Sequence, residues 1–296
     1  MDSVTQIVLG AACGEAVAGK KIGNRAMLWG AIGGTSNFLA WGEFPETDKE
    51  PESLYMPRGV IMKRNLGGVK MAHQSKVTED VTRGWYEKGA AKHPYEGETK
   101  PLQENPQYQP GDGQYTWFKA PRYEGEPCEV GPLTRVLVAY AKGHKDIKPA
   151  VDNVLKTLGV PPTALFSTLG RTAARGLETK LVAQWTQDFY ATLMNNIKNG
   201  DSRMANTEKW EPASWPAEAK GVGFSEAPRG SLAHWIRIEE GKTANYQLVV
   251  PSTWNASPRD PKGQRSSYES TLLDTPVADP ELPLEIIRTI HSFDPC

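Results

Sequence analysis

The sequence predicts a mainly α fold: a long-helix bundle core with small β elements at its periphery. Two observations predict it. Between about Gly131 and Gly200, apolar residues recur at three- and four-residue spacing, the period of one helix face. On either side, residues 37–127 and 201–229 carry turn clusters that leave room only for short strands.

Residues 1–36 stand apart. They are small, Gly/Ala-rich and apolar, and the composition changes abruptly near Thr35-Ser36-Asn37, which marks a boundary. The apolar runs Val4–Ala18 and Ala26–Trp41 are broken by Glu15, Lys20, Lys21 and Arg25. Neither reaches the ~18 uninterrupted apolar residues of a membrane helix, and no basic residue precedes the first run as a signal peptide requires. The expected domains are therefore 1–36, an unrelated apolar segment, and 37–296. Turn clusters follow at Asp48–Pro51, Pro106–Gly113 and Pro121–Pro127.

Leu133, Val136, Leu137 and Tyr140 predict a first helix. Ile147, Val151, Val154 and Leu155 predict a second, with Leu158-Gly159 as its C-cap. Pro161-Pro162-Thr163 opens a long third tract. There Leu177, Leu181, Trp185, Phe189, Leu193 and Ile197 form one apolar face, expected to be packed deep in a bundle. Leu232–Ile238 and Asn245–Val250 read as two strands joined through Glu239-Glu240-Gly241-Lys242. A last helix is expected from about Pro283 through Ile290.

Composition bounds the function. The chain has 296 residues, 39% of them hydrophobic, enough for one substantial core or two smaller ones. With 34 basic and 35 acidic residues the net charge is -1. No basic stripe with interleaved aromatics appears, so nucleic acid is not an expected partner. The three cysteines, Cys13, Cys128 and Cys296, are odd in number and far apart, and no CxxC exists, which excludes a disulfide framework. There is no P-loop, GxGxxG, HExxH or GxSxG. The five histidines, at 73, 93, 144, 234 and 291, show no ligand pairing four residues apart.

Three segments are unusual: Glu226-Ala227-Pro228-Arg229-Gly230; Val249-Val250-Pro251-Ser252-Thr253-Trp254-Asn255 with Pro258-Arg259-Asp260; and Arg288-Thr289-Ile290-His291-Ser292-Phe293-Asp294-Pro295-Cys296. In this order they resemble the large subunit of nickel–iron hydrogenases, most closely the uptake, membrane-associated respiratory type. The resemblance also covers residues 37–45, Pro57-Arg58-Gly59, Glu129–Leu133 and Ser167–Arg171. It implies that the helical core is that of the family's large subunit, incomplete in this chain. It further implies hydrogen splitting to two protons and two electrons, with the electrons passed to an iron–sulfur small subunit.

The family's nickel and iron are held by four soft thiolates, two from an N-terminal CxxC and two from a C-terminal CxxCxxH, and the iron carries CO and cyanide. By resemblance, Pro228, Arg229, Val250, Pro251 and Ser252 line this centre. Arg229 implies a permanent cation near the open coordination site, with Asp294 as its carboxylate partner. Cys296 matches a nickel ligand, and the Leu248 carbonyl contributes to a nearby magnesium site. The complex implies membrane association on the periplasmic side.

Departures qualify the reading. The upstream CxxC, the second C-terminal cysteine and the final histidine have no counterpart here, so this chain is expected to be a fragment that does not turn over hydrogen by itself. Lacking the helices that pack against its core, it is expected to be poorly soluble when expressed alone. Residues 1–35 resemble the start of a family of small inner-membrane metal-dependent hydrolases, but where a Pro-Asp-x-Asp-like continuation is expected after Gly34, Ser36-Asn37-Phe38 stands instead. Two alternatives remain, a non-catalytic chimeric product and a membrane-bound metal-dependent hydrolase.

Overall fold

The computed structural model describes residues 35–45, 53–102, 107–108, 113–205, 207–208, 210–273 and 275–295. The boundary at 36/37 falls at the very start of this range, and residues 1–34 lie outside it, as does Cys296.

Two strands, β1 (Phe38–Ala40) and β4 (Gly59–Ile61), pair antiparallel with Leu39 opposite Val60. Between them β2 (Glu43–Pro45) pairs with β3 (Leu54–Met56). Successive side chains of a strand point to opposite faces, so β1 serves two cores at once. Phe38 and Ala40 enter one while Leu39 and Trp41 enter the other. The thin β1–β4 ribbon is thus the wall between two hydrophobic clusters. The second cluster is completed by β5 (Val77–Asp80) and β6 (Ala120–Tyr123), which pair antiparallel, and by Trp235, Val249 and Trp254.

The first cluster is helical. It joins α1 (Pro132–Ala141), α2 (Ile147–Leu158) and the first half of α3 (Thr168–Lys198). The predicted stop at Gly159 is present, whereas the long helix starts at Thr168, after a separate 3-10 turn at Pro162–Leu165, and not at Pro161-Pro162-Thr163. Pro132 stands at the first position of α1, where its missing N–H costs nothing. Gly159 ends α2 at φ 65. The Ser167 hydroxyl accepts from the Gly170 amide to cap α3.

Next in the chain is a three-stranded antiparallel sheet, formed by β7 (Ala219–Ala227), β8 (Gly230–Glu239) and β9 (Lys242–Val249). The chain closes with α4 (Pro251–Asn255), α5 (Ser267–Leu272) and α6 (Leu284–Ser292).

The expectation of a mainly α, long-helix bundle is corrected by this architecture. Among the described residues the fold is 35% helical with 23% strand and holds six helices with several small sheets, a partial large-subunit fold. Only α3, with 31 residues, is long. Its apolar stripe does not stay buried either. Leu181 and Trp185 are buried, whereas Phe189, Leu193 and Ile197 are 40%, 54% and 48% exposed. The sheet is larger than its sequence pattern suggests, because β7 carries Gly221 and Gly223 and has no apolar alternation, the usual strand signal.

Candidate functional site

The β7–β8 hairpin places Pro228 and Arg229 at its two-residue turn, between paired Ala227 and Gly230. Gly230 is obligatory there. Its φ is 134, and an added Cβ would lie 2.6 Å from the Gly131 amide nitrogen. Arg135 of α1 holds the turn from below. Its guanidinium donates to the carbonyls of Ala227 (2.9 Å) and Pro228 (3.0 Å) and to the Glu226 carboxylate (3.1 Å). It also meets Glu178 of α3 through its Nη2 at 2.7 Å. Glu226 is fully enclosed, and burial raises its carboxyl above the usual carboxylate range, against the pull of Arg135. The Glu226 carboxylate accepts from the Trp41 amide and the Ser231 hydroxyl, both at 2.6 Å.

Arg229, held by this turn, points toward the C-terminal segment. Its Nε lies 3.9 Å from Asp294 Oδ2, with the side chains 37% and 38% exposed. That Nε is buried and has no hydrogen-bond partner among the described residues. Asp294 follows α6 at φ 57, its amide donating to the His291 carbonyl at 3.0 Å.

At the end of β9, Val250 is the extended N-cap of α4 and Pro251 its first residue. The Val250 carbonyl accepts from the Thr253 amide at 3.0 Å. Pro251 is buried, Ser252 half-buried. Asn255 anchors this helix by bonding both the N–H (3.0 Å) and the carbonyl (2.9 Å) of Val130. Leu248 pairs with His234 across the sheet, and its side chain is exposed.

The structure therefore brings Arg229 and Asp294 together directly. Pro251 and Ser252 belong to α4, which packs on β8, and make no hydrogen bond to Arg229 among the described residues. Among the described residues no three His, Cys, Asp or Glu converge on a metal-sized site. Cys128, the free thiol described, is buried in the second core with its pKa pushed far up by burial. Arg229 and Asp294 set a guanidinium beside a carboxylate at this surface. They do not supply the ligand set of a nickel–iron centre, and the placement of Cys296 is outside the described residues.

Sequence reasoning missed the charges behind this surface. Arg171 grips the buried Glu129 through two bonds, 2.7 and 2.8 Å, and stacks 3.9 Å above Phe293. Arg175 donates to the Ser292 carbonyl at 2.6 Å. Arg171, Arg175 and Glu178 occupy one face of α3 at helical spacing, a signal available in the sequence. A second missed feature is a cavity of about 190 Å³ lined by Glu79, Glu87, Lys92, Lys100 and Lys119, among others. Lys119 lies 3.8 Å from Glu79 and donates to Gln247, the neighbour of Leu248, at 2.8 Å.

Comparisons with known proteins place the chain in a family. Residues 21–296 match the family model described as nickel-dependent hydrogenase, a match that begins ahead of the boundary at 36/37. The chain is 48% identical over 295 residues to the uptake hydrogenase large subunit of Rhizobium leguminosarum bv. viciae, covering 93% of this chain and 50% of that protein. It is 44% identical over 300 residues to the hydrogenase-1 large chain of Escherichia coli K12, covering 93% and 49%. Its fold matches the [NiFeSe]-hydrogenase of Desulfomicrobium baculatum with a TM-score of 0.77 at 32% identity, over 98% of this chain and 55% of that one. The chain thus spans about half the length of the curated relatives it matches, and it belongs to the nickel-dependent hydrogenase family.

Proposed function

We propose that this chain is the C-terminal part of a hydrogenase large subunit and supplies the arginine–carboxylate wall of its nickel–iron centre. The observation that carries the reading is the buried Nε of Arg229, unpartnered among the described residues, beside Asp294 at the hairpin turn of a family member. The centre, when bound, splits hydrogen into two protons and two electrons. Arg229 holds a permanent positive charge and spare N–H donors toward it, and Asp294 orients that guanidinium. Pro228, Val250 and Pro251 exclude water. The Ser252 hydroxyl offers a donor to a cyanide nitrogen. The Leu248 carbonyl is offered to magnesium, with the buried Glu79 carboxylate near its neighbour Gln247 as an anionic surround.

In this proposal Cys296 is a nickel ligand, and the electrons pass to an iron–sulfur small subunit. The complex associates with the membrane on the periplasmic side. No helix among the described residues is long and apolar enough to cross a membrane. The 296-residue sequence holds three cysteines and no CxxC, and in this proposal the remaining thiolates come from a complementary large-subunit segment. The family match favours this reading over a membrane-bound hydrolase or a merely structural product.

Infrared spectra and hydrogen-dependent dye reduction test it in two preparations. The purified chain alone is expected to show no metal-bound CO or cyanide bands, and finding them would overturn the need for that segment. The chain assembled with a complementary large-subunit segment and a small subunit is expected to show bands and dye reduction. Their absence there would overturn the functional reading.

A further inference from the structure

We infer that Arg175 is a positioning residue: from α3 it clamps the turn that carries Phe293 and Asp294. The inference rests on the proposed function for its meaning and on geometry for its existence. The last carbonyls of any helix lack an intrahelical partner. At the end of α6, the Ser292 carbonyl is taken by Arg175 Nη2 at 2.6 Å, a cation at a helix C-terminus, where the helix dipole favours it. One turn earlier on the same face of α3, Arg171 lies 3.9 Å over the Phe293 ring. Tyr268 of α5 packs that ring at 4.8 Å. Two residues of the turn are therefore gripped by two arginines four positions apart.

The grip answers a local cost. Asp294 stands at φ 57, a left-handed conformation unfavourable for a residue with a side chain. It leaves the helix in the direction that places its carboxylate beside Arg229. Arg175 belongs to the same charge neighbourhood, drawn toward Asp294 and Glu178 and repelled by Arg229 and Arg135. Among the described residues its Nε is buried without a hydrogen-bond partner, and its Nη2 is held by the Ser292 carbonyl. Arg171, with Glu129 in both hands, is the fixed jaw. Arg175 is the jaw that sets where Asp294 sits.

Amide deuterium exchange of the whole 296-residue chain reads the clamp directly. The Phe293 and Asp294 amides donate to Ile290 and His291, so their protection reports the turn. Arg175→Met is expected to speed their exchange about tenfold, and Arg175→Lys less, with α1 amides unchanged. Equal exchange in all three proteins overturns the inference. If Arg175→Met also loses protection in α1, Arg175→Lys decides: faster exchange at 293 and 294 over an intact α1 supports the clamp, and unchanged exchange overturns it. In the assembled enzyme, a shifted CO band in Arg175→Lys ties the clamp to the centre. Faster exchange with no metal-bound CO even in the unsubstituted assembly removes the proposed function and leaves the clamp standing.

Discussion

Glu129 and Glu79 are both buried carboxylates, 1% and 5% exposed, and they are held in opposite ways. Glu129 gives both oxygens to the guanidinium fork of Arg171, at 2.7 and 2.8 Å. Arg171 is placed in advance by the capped first turn of α3. Glu79 lies 3.8 Å from Lys119, which directs its hydrogen bonds to Thr99 and Gln247 instead. One oxygen of Glu79 has no hydrogen-bond partner. A planar fork matches a carboxylate in number and direction of donors, and a shared ammonium does not. The contrast separates a buried charge that organises the fold from one that the fold tolerates.

The largest effect should come from breaking the matched pair. Glu129→Ala leaves Arg171 buried and uncompensated, and is expected to cost about 3–5 kcal/mol in urea unfolding. It should also loosen Phe293, which rests against Arg171. Glu129→Gln keeps an acceptor and should cost less. A loss below about 1 kcal/mol for Glu129→Ala would mean that the pair organises nothing.

The mismatched pair should show itself in pH dependence. Burial pushes the Glu79 carboxyl from 4.5 up to about 6, only partly opposed by Lys119. Between these values the folded chain binds more protons than the unfolded one, so stability falls as pH rises. The penalty is absent below about pH 4.5 and complete above about pH 6, where it reaches about 2 kcal/mol. Thermal melting across that window should decline in the unsubstituted chain. It should be flatter in Glu79→Gln. Parallel curves for the two proteins would place the titrating group elsewhere.

The two carboxylates also differ in how far the sequence announced them. Glu129 stands in a segment that carries the family resemblance, and Arg171 in another, although nothing in either says that they meet. Helices α1, α2 and α3 were legible because their periodicity and caps are local properties. The β8–β9 hairpin was legible because its turn is Glu240-Gly241 between apolar runs. β7 was not, since its glycines carry no pattern and only pairing with β8 makes it a strand. The meeting of Arg229 with Asp294 came from resemblance rather than spacing. The surrounding arginines needed three dimensions, because each one answers a carboxylate or carbonyl from a distant segment. Glu79 and Lys119 lie 40 residues apart in loop-dominated sequence, where no period links them.

The smallest effect belongs to the same helix that carries Arg171, beyond Trp185. Periodicity gives a helix its apolar face, and says nothing about whether a partner covers that face. Phe189, Leu193 and Ile197 continue the stripe of Leu181 and Trp185 into solvent. Phe189 still touches Phe44 and Tyr55, so Leu193 and Ile197 are the cleaner probes. Leu193→Ser and Ile197→Ser should each change unfolding free energy by less than about 0.5 kcal/mol. Together they should reduce aggregation of the isolated chain, because an exposed apolar patch on one helix favours self-association. Light scattering and urea titration on the same samples separate the two effects. A destabilisation above about 1 kcal/mol would mean that this face is covered in the folded chain. The buried stretch of α3 that holds Arg171 would then extend along the whole helix.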